Sequence, residues 1–258
     1  MCRLAAYMGR AIPLSAFLAE PEHSLVKQSW APREMKEAAL NADGFGFGWY
    51  ADDGAPAVYT NTCPIWNDPN LPALGRSLSR PIWMANTRSA TPGQEIGHGN
   101  TQPFAADRVL FLHNGYIESF RAGTRVAFHH HLSPDIQAGI QGNTDSEFLF
   151  ALLRQCLDET KGGIEAALRA LLEVLPRLID GRRALLNIVI CDGERLVGCR
   201  HALNGGECPS LYAAVNAPAW PGATIIASEA FSGEGWQPIA PHTLFTADAA
   251  GFKTSVPL

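Results

Sequence analysis

The sequence predicts an α+β fold in which layers of sheet and helix pack on one another. Short apolar strands dominate the first half, two amphipathic helices follow, and further strands come after them. Strands, helices and strands in separate blocks favour a layered sandwich over an alternating βαβ sheet. With 258 residues, of which 47% are hydrophobic, the chain can bury a full core, and we expect one domain over residues 1–258.

Three strands are predicted in the first half. Residues 43–52 alternate glycine with aromatic residues, and residues 81–88 form an apolar run. Residues 108–120 have the composition of a strand that enters an Asn-Gly turn.

The second half contains the two predicted helices. Residues 145–159 carry an Asp and a Glu in the first turn, and residues 162–180 place Leu and Ile at helical spacing. Residues 183–202 predict a hairpin around Asp192-Gly193, and residues 223–230 and 241–248 predict two further strands.

Long segments rich in Pro or Gly separate these elements and are predicted to be loops: 52–80, 121–144 and 203–222. One of them carries the consecutive histidines His129, His130 and His131. Consecutive residues cannot all face one ion from a strand or helix, so we expect a solvent-exposed loop here and no metal site.

Composition excludes several classes of function. A net charge of −5 and a pI near 5.9 argue against nucleic-acid binding. No stretch approaches the roughly 20 apolar residues of a membrane span, and Arg3 and Arg10 interrupt the short apolar start, which is unlike a secretory signal. The six cysteines form no C-x-x-C pair, which favours free thiols and a cytoplasmic protein.

The second residue is the first candidate for chemistry. Removal of Met1 would leave Cys2 with a free α-amine beside its thiol. A nucleophile and a base of suitable strength would then share one residue. The alternative is a cysteine that stands early in the chain by chance.

Two further motifs could act on the same substrate. Asn114 and Gly115 could converge an amide group and a backbone N–H on one point, as an oxyanion hole requires, or could simply form a turn. Arg88 follows an apolar run, and its guanidinium could bind a carboxylate or lie on the surface.

Two weaker motifs complete the set. Asp145 begins a predicted helix, where it or Thr144 could cap the helix or where the Asp could face an ammonium group. The glycines of residues 41–48, which include Gly44 beside Phe45, would let backbone pass close to a ligand. No strand-turn-helix unit surrounds them, so they make a poor nucleotide-binding motif.

The order of these motifs is more specific than any one of them. Cys2 is followed by DGFG, TRSATPG, NTQPF, HNG and TDSE, and this order resembles the class II, N-terminal-nucleophile glutamine amidotransferases. The resemblance covers roughly residues 2–150 and implies a four-layer αββα sandwich that needs no cofactor or metal. It also implies roles for nine residues: nucleophile Cys2, oxyanion pair Asn114 and Gly115, carboxylate-binding Arg88, amine-binding Asp145, and substrate contacts at Ser89, Thr91, Gly44 and Phe45.

The resemblance also bears on the substrate. Many ammonia-transferring members carry Trp and His where this chain has Ser89 and Pro92, and the chain leaves no room for a synthase domain of ordinary size. Hydrolysis of a small γ-glutamyl amide is therefore expected. Residues 21–35, 41–50, 63–71 and 88–91 resemble the ergothioneine-pathway amidohydrolases, which act on γ-glutamyl-hercynylcysteine sulfoxide.

Several alternatives stay open at this point. The chain could be a glutaminase subunit that supplies ammonia to a separate synthetase, or an inactive relative that acts as a binding module. A homodimer is also left open. In the ergothioneine interpretation, Trp30, Trp49 and Trp66 are candidates for a cation–π contact with a trimethylammonium group, with core packing as the alternative.

Overall fold

The computed structural model describes residues 2–35, 40–90, 95–231, 233–248 and 251–255. Two antiparallel sheets dominate it. The strands of the first sheet are β1 (Arg3–Pro13), β2 (Phe45–Tyr50), β3 (Pro56–Asn61), β4 (Ser79–Thr87), β9 (Tyr212–Val215), β10 (Thr224–Ala227) and β11 (Trp236–Pro238). They lie in the order β11-β9-β10-β1-β4-β2-β3, so β1 is central.

The second sheet packs against the first. Its strands are β5 (Phe104–Ala106), β6 (Val109–Ile117), β7 (Ala184–Cys191), β8 (Leu196–Leu203), β12 (Thr243–Asp248) and β13 (Gly251–Ser255). Their order is β13-β12-β8-β7-β6-β5.

Helices cover the outer face of each sheet. The helices are α1 (Leu14–Leu18), α2 (Leu25–Trp30), α3 (Leu71–Ser77), α4 (Thr124–His131), α5 (Pro134–Ala138), α6 (Asp145–Thr160) and α7 (Gly163–Ile179). None of the helices in the described ranges is long and apolar enough to cross a membrane.

Three apolar cores separate the four layers and confirm the αββα sandwich. Between the sheets, Leu4 of β1 packs in one cluster with Leu112 of β6. Outside the first sheet, Phe17 of α1 joins Trp83 of β4. Outside the second, α6 and α7 pack on β6 and β7 through a cluster that contains Leu149, Leu168 and Ile188, among others.

The alternation of side chains along β6 positions the candidate residues. Leu110 and Leu112 point between the sheets, whereas Phe111 points to the helices. The same alternation turns Asn114 toward the space between the sheets and His113 toward α6.

Both long helices, the hairpin, and the strands over 223–230 and 241–248 are confirmed in position. The loop prediction over 121–144 is wrong, because α4 and α5 form there, each too short to show a clear apolar period. The three histidines lie in the last turn of α4, with exposed side chains as expected. The segment 52–80 contains β3 and α3, and the segment 203–222 contains β9.

The predicted Asn-Gly turn is also wrong, because β6 continues through Asn114 and Gly115 to Ile117. A Cβ at residue 115 would overlap the backbone carbonyl of Leu185 in β7. This glycine therefore permits close approach of two strands, and long-range pairing overrides the local turn signal.

Candidate active site

Cys2 lies at the head of β1, in the middle of the first sheet. It is half-buried, and its Sγ is 3.9 Å from the carbonyl oxygen of Ser89. Because Arg3 pairs with Thr87 in β4, Cys2 lies beside Arg88. The Arg3 Nε donates a hydrogen bond of 2.8 Å to the Cys2 carbonyl, which fixes the backbone next to the thiol.

A buried carboxylate holds this end of the strand. Glu229 pairs with Arg3 at 2.9 Å and with the Nε2 of His23 at 2.6 Å, and all three side chains are buried. It also accepts the backbone N–H groups of Arg33 and Glu34. Burial alone would raise the pKa of Glu229, but these hydrogen bonds and the Arg3 charge outweigh it and lower that pKa.

Ser228 joins the head of β1 to the candidate oxyanion residue. Its hydroxyl oxygen accepts the backbone N–H of Leu4 at 3.0 Å and the Nδ2 of Asn114 at 3.1 Å. Asn114 is fully buried between the sheets. An amide nitrogen has two N–H groups, so Asn114 retains a second donor for another partner.

The backbone around Asn114 is held by side chains as well as by strands. Gln102 accepts the N–H of His113 at 2.5 Å and donates to its carbonyl at 2.9 Å. The His113 Nε2 lies 3.0 Å from the Leu185 carbonyl and must donate to it, so Nδ1 accepts from the Ser146 hydroxyl at 2.8 Å. Burial lowers the pKa of His113, which agrees with a neutral ring.

Arg88 is 4% exposed and lies at the end of β4. Its guanidinium donates to the backbone carbonyls of Asp43 and Glu95, at 3.5 and 3.0 Å. No ion pair joins it to a carboxylate within the described ranges. Burial lowers the pKa of Arg88, and the charges of Cys2, Asp43 and Asp145 lie close enough to oppose that effect.

Asp145 is 6% exposed and occupies the first turn of α6, where Thr144 is the residue that caps the helix. One carboxylate oxygen accepts the N–H of Ile117 at 2.7 Å, and the other accepts the N–H of Ser146 at 2.8 Å. The carboxylate therefore ties α6 to the end of β6. Each oxygen keeps capacity for a second hydrogen bond.

The remaining predicted substrate contacts have different positions. The Gly44 carbonyl accepts the Arg88 N–H at 2.8 Å, and Gly44 has a φ of +117°, a conformation that favours glycine. The Phe45 ring is fully buried against Tyr59, so only its backbone could face a ligand. Ser89 lies beside the thiol, and Thr91 lies outside the described residues.

Sequence reasoning missed four residues that build this site. Ser228 and Glu229 directly follow the apolar strand β10, and two buried polar residues at a strand end are a readable signal. Asp43 accepts the Ala90 N–H at 2.8 Å, and Gln102 supports β6, as described above. Asp43 and Gln102 stand inside motifs already noted, but the sequence does not indicate which groups they bind.

The fold and the site together define a class. Two sheets packed face to face between helices, with a cysteine heading a central strand, are the architecture of the N-terminal-nucleophile hydrolases. The chain belongs to the class II glutamine amidotransferase family, whose model, described as glutamine amidotransferases class-II, matches residues 17–208. It is therefore an amide-cleaving enzyme of the N-terminal-nucleophile type.

Individual relatives agree with this assignment. The probable glutamine amidotransferase DUG3 of Saccharomyces cerevisiae is 30% identical over 242 residues, covering 82% of this chain and 67% of that protein. The gamma-glutamyl-hercynylcysteine sulfoxide hydrolase of Mycolicibacterium smegmatis is 33% identical over 118 residues, 46% of this chain. The match spans about half of that hydrolase, 52% of its length.

Solved structures agree over nearly the whole chain. A glutamine aminotransferase class-II domain protein from Silicibacter pomeroyi superposes with a TM-score of 0.71 at 25% identity, covering 98% of both chains. The glutamine phosphoribosylpyrophosphate amidotransferase of B. subtilis superposes with a TM-score of 0.63, covering 99% of this chain and 49% of that one. At 14% identity, the second likeness concerns the fold alone.

Proposed function

We propose that the protein hydrolyses a γ-glutamyl amide through a thioester on Cys2 and releases glutamate. One observation carries the proposal: the head of β1 brings the Cys2 thiol beside Arg88, while Ser228 binds both Leu4 and Asn114. These contacts support a common site for the proposed nucleophile, the proposed anion-binding cation and the proposed amide donor. Acyl transfer requires that combination.

The chemistry follows from these groups. After Met1 is removed, the Cys2 α-amine takes the thiol proton, directly or through water, and the thiolate attacks the γ-carbonyl carbon. The second N–H of the Asn114 amide and the Gly115 N–H bind the tetrahedral oxyanion. The C–N bond breaks, the amine leaves with a proton, and water then cleaves the thioester to give glutamate and the free thiol.

Charged residues select the glutamyl end of the substrate. Arg88 binds the α-carboxylate with the N–H groups that its two carbonyl contacts leave free, and Asp145 binds the α-ammonium group. Ser89, Thr91 and the backbone of Gly44 and Phe45 complete that side. Both charged side chains are buried, which strengthens their interaction with a matching ligand.

The proposed substrate is γ-glutamyl-hercynylcysteine sulfoxide, on the strength of the 33% identity to hydrolases of that name. The tryptophans give this choice no support. Trp49 packs against Phe47 and Trp83, and the exposed Trp30 contacts Trp66 and lies under the ammonium of Lys27. The glutaminase alternative retains the support of the amidotransferase relative from yeast.

Parallel turnover assays test the proposal. The purified enzyme, with loss of Met1 verified by intact mass, is offered γ-glutamyl-hercynylcysteine sulfoxide, γ-glutamyl-alanine and free glutamine. We expect glutamate release from the γ-glutamyl conjugates at a higher kcat/KM than from glutamine. Faster turnover of glutamine would replace the hydrolase proposal with the glutaminase, and absence of turnover with Met1 removed would favour the binding module.

A further inference from the structure

A cavity of about 620 Å³ opens near the head of β1 and the end of β6. Arg3 and Tyr116, which follow Cys2 and Gly115 in the chain, are among its lining residues. Arg88 and Asp145 are not. If the glutamyl group occupies the Arg88 side, the atoms beyond the scissile bond extend toward this cavity, which is far larger than ammonia requires.

A row of polar side chains crosses the second sheet from the candidate oxyanion residue to the cavity. Asn114 of β6 pairs with Asn187 of β7, and Asn187 pairs with Arg200 of β8. Directly paired residues project from the same face of a sheet, here the face between the sheets. Both asparagines are fully buried, and the Oδ1 of each lacks a hydrogen-bond partner within the described ranges.

Arg200 is held rigidly at the end of this row. Its Nε donates to the carbonyl of Pro209 at 2.7 Å, and its two Nη atoms donate to the carbonyls of Ile239 and Cys208 at 2.6 and 3.2 Å. Three of the five guanidinium N–H groups are thus used. One remains on each Nη, a pair that a single carboxylate can bridge.

Two of the three other arginines that line the cavity have carboxylate partners, and no ion pair joins the third, Arg33, to a carboxylate within the described residues. Arg3 pairs with Glu229, and Arg183 pairs with Glu118 at 3.5 Å. No ion pair joins Arg200 to a carboxylate in the part of the chain that the structure describes. Glu34 and Glu207 also line the cavity, so the lining has both signs of charge. A ligand with an anionic and a cationic group matches such a lining.

We propose that this cavity is the leaving-amine subsite, and that it binds an amino acid or short peptide whose carboxylate is held by Arg200. The inference rests on the proposed function, because it needs a γ-glutamyl amide at Cys2. Cleavage gives the occupant an ammonium group beside its carboxylate, the charge pattern that the lining matches. Arg200 then determines specificity for the leaving group, and Arg88 determines specificity for the glutamyl group.

The test compares two substrates that differ only in one charge: γ-glutamyl-alanine and γ-glutamyl-alaninamide. For the wild-type enzyme we expect kcat/KM to be at least about tenfold higher for the free carboxylate. In Arg200→Gln that preference should disappear because kcat/KM for γ-glutamyl-alanine falls. The kcat/KM for γ-glutamyl-alaninamide should change less than about twofold. Arg200→Lys should keep part of the preference, and Arg169→Gln, on the exposed face of α7, should keep all of it.

The outcomes separate the two proposals. Equal turnover of both substrates by the wild type, a comparison that needs no variant, would overturn the assignment of the cavity and leave the hydrolase intact. A full preference in folded Arg200→Gln would overturn the role of Arg200. No turnover of either substrate, with Met1 removed, would overturn the proposed function itself.

Discussion

The two sides of Cys2 are built differently. On the Arg88 side, buried charged groups are tied to nearby backbone: Arg88 to the carbonyls of Asp43 and Glu95, and Asp145 to the N–H of Ile117. On the other side a cavity of about 620 Å³ is lined by side chains that include Arg3, Arg200 and others from several strands and loops. The charged groups of the first side are buried and held in place by backbone, and the second side has room.

This difference separates the part of the substrate that must stay the same from the part that can vary. A closed site with fixed donors accepts one group and rejects others through unpaired buried charges. An open cavity accepts occupants of several sizes and discriminates through a few anchored groups such as Arg200. Within our proposal, the glutamyl side would define the reaction, and the cavity would define which amine is released.

The largest effect is expected from a substitution of Cys2, the residue between the two sides. Cys2→Ala deletes the proposed nucleophile, and we expect kcat for every γ-glutamyl substrate to fall by about 10⁴-fold or more. Steady-state glutamate release measures it. Cys63→Ala, which changes another half-buried thiol, is the matched control and should keep its activity. Residual turnover by Cys2→Ala within about tenfold of wild type would mean that another residue is the nucleophile.

The next effect concerns the oxyanion at the boundary of the two sides. Asn114→Ala removes one donor, and kcat should fall by about 10²–10³-fold with little change in KM, because the oxyanion exists only in the transition state. Loss should be equal for substrates with large and small leaving groups. A loss confined to one leaving group would assign Asn114 to the cavity instead. Circular dichroism must show that the variant folds, because Asn114 also donates to Ser228.

The same contrast explains how much the sequence could predict. The Arg88 side is encoded in short motifs, since Asp43, Arg88 and Asp145 each bond to backbone close to another motif. The amphipathic periods of α6 and α7 and the hairpin of β7 and β8 are likewise local signals. The order of the elements therefore predicted a layered sandwich, and the family resemblance carried by the motifs implied its four layers and the candidate residues.

The cavity side had no such signal. Arg200 stands on β8 and Arg3 on β1, and only the packing of the two sheets against each other brings them together. Gly115 illustrates the limit, because its neighbour Leu185 belongs to a strand about 70 residues away in the chain, and the local Asn-Gly pattern indicated a turn. Local pattern predicts elements, whereas the partners of buried polar groups depend on tertiary packing.

A smaller effect should be confined to the Arg88 side. Arg88→Lys keeps the charge but loses the planar fork, so we expect KM to rise about 10- to 100-fold with kcat less affected. The rise should be the same for γ-glutamyl-alanine and γ-glutamyl-alaninamide, because both share the glutamyl group. Arg195→Lys, in the loop between β7 and β8, is the control. A change in the ratio of the two substrates would place Arg88 in contact with the leaving group.

The smallest expected effect concerns a pair of histidines, His201 and His242, close to residues that line the cavity. His201 follows Arg200 in β8, and its Nδ1 lies 3.0 Å from the Nδ1 of His242. The Nε2 of His242 is in turn 4.0 Å from the Sγ of Cys208, which lines the cavity. Burial, followed by the charge of His242, lowers the pKa of His201 from 6.5 to about 4. Between these values the unfolded chain binds a proton that the folded chain does not.

The free energy of unfolding should therefore fall as pH drops from 6.5 toward 4, by at most about 1.4 kcal/mol per pH unit from this residue. Urea titrations at several pH values of the wild type and His201→Gln isolate the contribution, because His113, whose pKa burial also lowers, remains in both. The variant should show the shallower pH dependence. Parallel curves would mean that His201 binds its proton equally in the folded and the unfolded chain. His201 would then make no contribution to the pH dependence of stability.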